Sequence, residues 1–165
     1  MKENPIWKIL GAYILAVILV IVLTLSALKC NAQKFELKKR IIPASLTFIS
    51  GMSDGLNQAL QFRYSGFKKV FPKARDQWYD PSISWANKYK GRDPSKGAKF
   101  FGSTSFLVGT TDAYHATRTI SNSFNAAAIV FSVSDGKKRW WVYLLEIGAY
   151  WTLNRIGFSI VYNIF

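Results

Sequence analysis

Residues 103–134 read STSFLVGTTDAYHATRTISNSFNAAAIVFSVS, and residues 140–165 read WWVYLLEIGAYWTLNRIGFSIVYNIF. In both stretches polar residues recur at helical spacing across a small or apolar background. In the first, Asp112, His115 and Arg118 follow one another every three residues, and helical steps add Val108, Thr111, Thr119 and Asn122. In the second, Tyr143, Glu146, Tyr150 and Asn154 are spaced by 3, 4 and 4. Between them lies the charged turn Asp135-Gly136-Lys137-Lys138-Arg139. The pattern predicts a helical hairpin over residues 103–165, its polar stripes facing each other or a third element. Trp140 and Trp141 follow the basic turn directly, as interface anchors do. The hairpin is therefore expected in or on a membrane, where Asp112, Arg118, Glu146 and Arg155 would be costly without partners. Alternation of Phe158, Ile160, Tyr162 and Ile164 offers a strand reading of the end, but no earlier series of alternating strands exists to build a barrel.

Far upstream, residues 9–28 (ILGAYILAVILVIVLTLSAL) carry no charge over 20 residues. At the helical rise this covers roughly 30 Å, the thickness of a hydrocarbon core. Trp7 and Tyr13 stand toward one end. Residues 1–29 are expected to form an uncleaved transmembrane anchor, because Ser26-Ala27-Leu28 resembles a signal-peptidase site only weakly. Lys29 before Cys30 does not suit a lipidation site. With one Cys and one His among 165 residues, neither an internal disulfide nor a metal site of these two alone is expected, and no cofactor is implied.

The formal net charge is +13, the sequence pI about 10.0 and the mean hydropathy +0.08. With 26 aromatic residues, the chain is neither disordered nor a low-complexity tail. The basic excess sits in residues 29–100, with 15 Lys and Arg against 5 acids. Lys34, Lys38, Lys39 and Arg40 follow the anchor and form the candidate site for anionic lipid headgroups, at about 1 kcal/mol per charge. Basic–aromatic interleaving at Phe62-Arg63-Tyr64 and around Trp85 to Lys90 raises nucleic acid as a partner, but no recognised motif supports it.

Residues 30–102 read as a basic juxtamembrane segment. Ser53-Asp54-Gly55-Leu56 predicts a helix start with Ser53 as N-cap, and Leu56, Leu60, Tyr64, Phe67 and Phe71 form one apolar face before Pro72. That stripe is expected in the core. From Pro72 to Gly102 no clean period survives, which predicts a long irregular loop rich in aromatics (Trp78, Tyr79, Trp85, Tyr89). Asp80-Pro81 and Asp93-Pro94 are turn starters in it. The fold expected is thus mainly α: an anchor at 1–29, the basic segment at 30–102 and the hairpin at 103–165.

His115 is the candidate general base, oriented by Asp112 or Glu146, with Arg118 or Arg155 holding an anionic headgroup. Counted from the turn near Lys137, His115 lies some 22 residues back, which sets it opposite residues 156–160, nearer Arg155 than Glu146. Asp112, His115 and Arg118, with Arg155, are the expected local cluster. No G-x-S-x-G nucleophile elbow occurs.

Asp112-Ala-Tyr-His115, followed by Glu146, Asn154-Arg155 and Gly157, resembles the scheme of VanZ-like membrane proteins and of YfiM-type envelope proteins. The blocks SDGLNQAL, ISWANKYKG and FFGSTSFLV are similar to small envelope proteins of Bacteroidetes-type bacteria. Tyr114 departs from the pattern, and Asn154 stands nearest where a later Asp is usual. The resemblance implies a helical envelope membrane protein and supplies no reaction. The function expected is an accessory or scaffold subunit of an envelope complex, or a binder of anionic lipid headgroups, with other membrane subunits and lipids as partners. The alternative is a lipid-modifying enzyme working through the His–carboxylate pair. Positive-charge asymmetry points both the middle segment and the Lys137-Lys138-Arg139 turn toward the cytoplasm. An anchor in the bacterial inner membrane with a periplasmic middle segment resolves that conflict.

Overall fold

Helix α1 spans Leu37–Phe62, starting sixteen residues before the Ser53 start predicted from the capping pattern. A computed structural model describes residues 37–165 of the chain, so the expected anchor at residues 1–29, Cys30 and Lys34 lie outside the described residues. Pro43 sits inside α1, in the stretch the sequence reading left unassigned. The helix persists there because tertiary packing outweighs local propensity. Ser53 caps nothing; its Oγ donates to Thr117 O at 2.8 Å.

The remaining helices are α2 (Tyr64–Val70), α3 (Asp76–Tyr79), α4 (Pro81–Ser84), α5 (Ala113–Ser134) and α6 (Trp140–Tyr162). Short 3₁₀ turns cover Trp85–Lys88, Lys90–Arg92, Pro94–Lys96 and Val108–Thr110. The fold is mainly α, as expected, and the strand reading of the chain end gives way to α6, which runs to Tyr162.

α1 lies between α5 and α6, which pack mainly on it rather than on one another. The third element the sequence allowed for is α1: it meets the α6 stripe at Glu146 and Asn154, whereas the α5 stripe faces away at Thr119 and Asn122. α1 runs antiparallel to α5, pairing Ser50 with Ser121 and Asn57 with Tyr114. It runs parallel to α6, where Gly51 meets Asn154 and Gly55 meets Phe158.

The two interfaces use different chemistry. Toward α5 the contact is small and polar. Ser50 Oγ donates to Ser121 O at 2.8 Å, and Asn57 Nδ2 reaches Tyr114 O at 2.7 Å and Thr117 Oγ1 at 3.1 Å. The side chains of Ser50, Asn57, Thr117 and Ser121 are all buried, so each bond satisfies a group that would otherwise be desolvated without a partner. Toward α6 the contact is backbone on backbone. A Cβ on Gly51 would strike the Asn154 carbonyl oxygen, and one on Gly157 the Phe48 carbonyl oxygen. Gly51-x-x-x-Gly55 is the small-residue spacing that lets two helices approach this closely.

The predicted apolar stripe is core from Leu56 to Phe67, across a break at Arg63, while Phe71 at its end is exposed. Leu60 and Phe67 are buried with Ala113, and Leu56, Tyr64, Tyr79 and Phe165 pack around them. The Phe67 ring lies 5.4 Å from Tyr79 and 5.5 Å from Phe165, so the chain end closes this aromatic cluster. Residues 72–111 are irregular but built. Asp80 and Asp93 each accept from the Ser two residues on, through backbone N and Oγ, and so cap the Pro81 and Pro94 turns. Ser103 Oγ donates to Lys88 O at 2.8 Å and ties the two halves of the loop.

Among the described residues, no helix is long and apolar enough to cross a membrane. α5 starts at Ala113 rather than near 103 and runs unbroken to Ser134, with Ser121, Asn122, Ser123 and Asn125 as polar residues in its middle. α6 carries Glu146 and Arg155.

Candidate functional site

Asp112 ends the loop and caps α5. Its backbone is extended, and its Oδ1 accepts the His115 backbone N–H at 2.9 Å, the bond expected of an N-cap carboxylate. The second oxygen serves the side chains: Oδ2 accepts Thr111 Oγ1 at 2.9 Å and lies 2.7 Å from His115 Nδ1. Asp112 is fully buried. Burial opposes its charge, yet the bonds from the His115 ring, the His115 N–H and Thr111 outweigh it and hold the carboxyl below its usual range. An ionised carboxylate only accepts, so Nδ1 of His115 is the donor. The other ring nitrogen, Nε2, is left as an acceptor with no hydrogen-bond partner among the described residues. The His115 side chain is 20% exposed, and its ring meets Tyr114 edge-on at 5.3 Å. Tyr114 Oη in turn accepts from Arg118 Nη1 at 3.1 Å.

Asp112 and His115 thus pair at the N-terminus of α5, while Arg118, exposed one turn on, bonds Tyr114 and neither of them. Chemically this is an oriented imidazole able to take a proton at Nε2, with a guanidinium one turn away. Among the described residues, no group of three His, Cys, Asp or Glu side chains could hold a metal.

Arg155 and Glu146 do not join this cluster, because α1 stands between α5 and α6. The Arg155 guanidinium lies on the outside of α6, over the rings of Trp151 and Phe158 at 5.7 and 5.9 Å. Glu146 is at the opposite end of the bundle. Its carboxylate pairs with Arg40, lies 3.0 Å from Lys138 Nζ and accepts Ser132 Oγ at 2.6 Å. Asp135 faces the same group, 3.1 Å from Lys39 and 3.8 Å from Arg40. Two of the four basic residues expected just after the anchor, Lys39 and Arg40, are therefore engaged within the fold. Arg40 is a structural cation with a side chain only 17% exposed, while Lys39, at 54%, keeps a solvent-facing side. Such a network ties the start of α1 to the α5–α6 turn.

Sequence reasoning missed the groups that face α1. The polar stripe drawn through Thr119 and Asn122 is exposed, whereas Ala113, Thr117, Ser121 and Ala128 are buried. The usable signal is the run of small residues at four-residue steps. Also missed is a chain of hydrogen bonds behind the dyad. Gln77 Nε2 donates to Asn87 Oδ1, Asn87 Nδ2 donates to Thr111 O at 3.2 Å, and Thr111 Oγ1 continues to Asp112.

No protein-family model, curated protein or solved structure matches the chain.

Proposed function

We propose that the protein is a membrane-seated scaffold or accessory subunit of a bacterial envelope, with the half of the bundle that holds the start of α1 sunk among lipid acyl chains. The observation that carries this reading is a band of bare apolar side chains. On α6, Trp140, Leu144, Ile147 and Trp151 share one helical face and are 72%, 57%, 64% and 62% exposed. Ile129 on α5 and Ile41 on α1 extend the band at the same level, 64% and 53% exposed. Water-facing surfaces seldom carry so many large apolar side chains at one level of a bundle. Lipid is the occupant because the uncharged 20-residue run precedes α1 closely in the chain, and the exposed Lys137 and Arg139 stand beside Trp140 as interfacial groups do. The buried Glu146–Arg40–Lys138 group also fits: charges at membrane depth persist only when paired. The resemblance to VanZ-like and YfiM-type envelope proteins agrees with this placement.

A lipid-phase carbene probe in vesicles holding the full chain tests the reading. Labelling should fall on residues 129–151 and spare 88–101. Labelling confined to residues 1–28 would refute the seating of the bundle.

A second reading is favoured by one observation, the Asp112–His115 pair with an unengaged Nε2. In it the pair acts as a base on a lipid-linked substrate. Asp112 has a full structural role as N-cap, so the scaffold reading takes precedence. If His115→Ala left thermal stability unchanged but abolished turnover of a lipid substrate in membranes, the order would reverse.

A further inference from the structure

A second feature lies at the far end of α1. Arg40 and Asn57 are seventeen residues apart on that helix, roughly 25 Å, so the loop packed near Asn57 is remote from the ionic cluster and the apolar band. Between its two halves the loop leaves an open cleft of about 390 Å³, within the size range of small-ligand sites.

The wall chemistry is one-sided. Trp78, Tyr89 and Phe100 offer aromatic surface, and Gln77, Arg92 and Lys99 offer polar groups. No carboxylate lines it. Asp93, next to Arg92, is turned to Ser95 and Lys96 instead. Trp78 Nε1, Tyr89 Oη and Lys99 Nζ are donors that no described residue engages. Arg92 gives one Nη2 bond to Ile83 O at 3.0 Å and keeps the rest of its fork. A ligand matching this wall has an apolar face to lie on a ring, many acceptors and a negative charge.

The backbone is shaped for the site. Gly91 and Arg92 both hold positive φ, 59° and 64°. For Arg92 this is a strained conformation, and such strain persists where the surrounding structure enforces it. Here the Ile83 bond and the Tyr89–Ala98 bridge do so. Behind the wall, Asn87 is buried and bonded to Gln77 and Thr111, so the floor is fixed and leads to Asp112 and His115.

We infer that this cleft binds a sugar phosphate, the pyranose face lying on Trp78 and the phosphate held by Arg92 and Lys99. The sugar is preferred to a nucleotide because the Trp78, Tyr89 and Phe100 rings stand among the donors of Gln77, Arg92 and Lys99, which suits a ring edged with hydroxyls. The site goes beyond the membrane-seating reading and stands without it.

Isothermal titration of the full chain in detergent micelles tests the assignment with four probes: N-acetylglucosamine 1-phosphate, N-acetylglucosamine, inorganic phosphate and uridine 5′-monophosphate. The sugar phosphate should bind saturably, and the other three at least about tenfold more weakly. Trp78→Ala and the pair Arg92→Gln with Lys99→Gln should each cost about tenfold or more. Lys137→Gln, at the other end of the bundle, should change nothing. Arg92→Lys, which retains the charge, guards against loss of the loop fold and should retain part of the affinity. Phosphate binding as tightly as the sugar phosphate, a preference for uridine monophosphate, unaltered affinity in the variants, or no binding of the sugar phosphate would each overturn the inference.

Discussion

Substituting Gly51 by Ala isolates the closest contact in the fold. In an exposed helix interior the change is favourable by about 1 kcal/mol, because Ala loses less backbone entropy than Gly. At position 51 the new Cβ meets the backbone carbonyl of Asn154, which no rotamer change can move aside. Either α6 shifts away from α1 along its length or the carbonyl is driven out of its helical bond. Overpacking of this kind costs about 1–3 kcal/mol, and a backbone obstacle belongs at the upper end. The net expectation is a loss of about 2 kcal/mol, or about 4–8 °C in Tm for a chain of this size. Gly148 provides the control. It lies on the same partner helix with nothing within 4 Å of its would-be Cβ. Gly148→Ala should therefore stabilise by up to about 1 kcal/mol. Thermal melts of both variants, followed by helical circular dichroism in one detergent, give the comparison. If Gly51→Ala matched the parent, or if both variants lost stability equally, the packing of α6 on α1 through bare backbone would be wrong.

Glu146→Gln should destabilise by about 3 kcal/mol, since it leaves Arg40 and Lys138 facing each other without their shared counter-charge, whereas exposed Arg155→Gln should stay within about 0.5 kcal/mol; chemical denaturation separates the two. Asp112→Asn keeps an N-cap acceptor but loses the charge, and should cost about 1 kcal/mol at pH 7. The Asp112 carboxyl is held low when folded, so its stabilising contribution is present above the unfolded value of about 3.9 and disappears as pH falls through the lower folded value. The gap between variant and parent should accordingly close below about pH 4, as denaturation series at pH 7, 5 and 3 would register. Asn57→Ala strips two bonds from the α1–α5 interface and should cost about 2–3 kcal/mol by the same method.

Helix content, the apolar stripe from Leu56 to Phe67, the Asp-Pro turns and the Asp112–His115 pair were legible in the sequence, because each rests on spacing within a single segment. The architecture was not. Pro43 and the hydroxyl residues Ser45, Thr47, Ser50 and Ser53 conceal a helix whose stability comes from partners on both sides rather than from its own propensity. Once α1 is placed between α5 and α6, the register arithmetic that brought Arg155 toward His115 no longer applies: it assumed that the two helices touch. The four basic residues after the predicted anchor looked alike in sequence. Remote acids, Asp135 of the α5–α6 turn and Glu146 of α6, distinguish Arg40 as structural. The cleft at Trp78 and Arg92 depends on the path of an aperiodic loop, for which local patterning carries little information.

Spin labels placed singly on the full chain in lipid vesicles, with Cys30 first replaced by Ser, test the membrane seating most directly. Labels at Leu144 and Ile147 should collide with oxygen far more often than with a water-soluble nickel reagent, and a label at Lys96 should show the reverse. If Leu144 and Ile147 met the nickel reagent as freely as Lys96 does, the apolar band would face water and the central claim would fail.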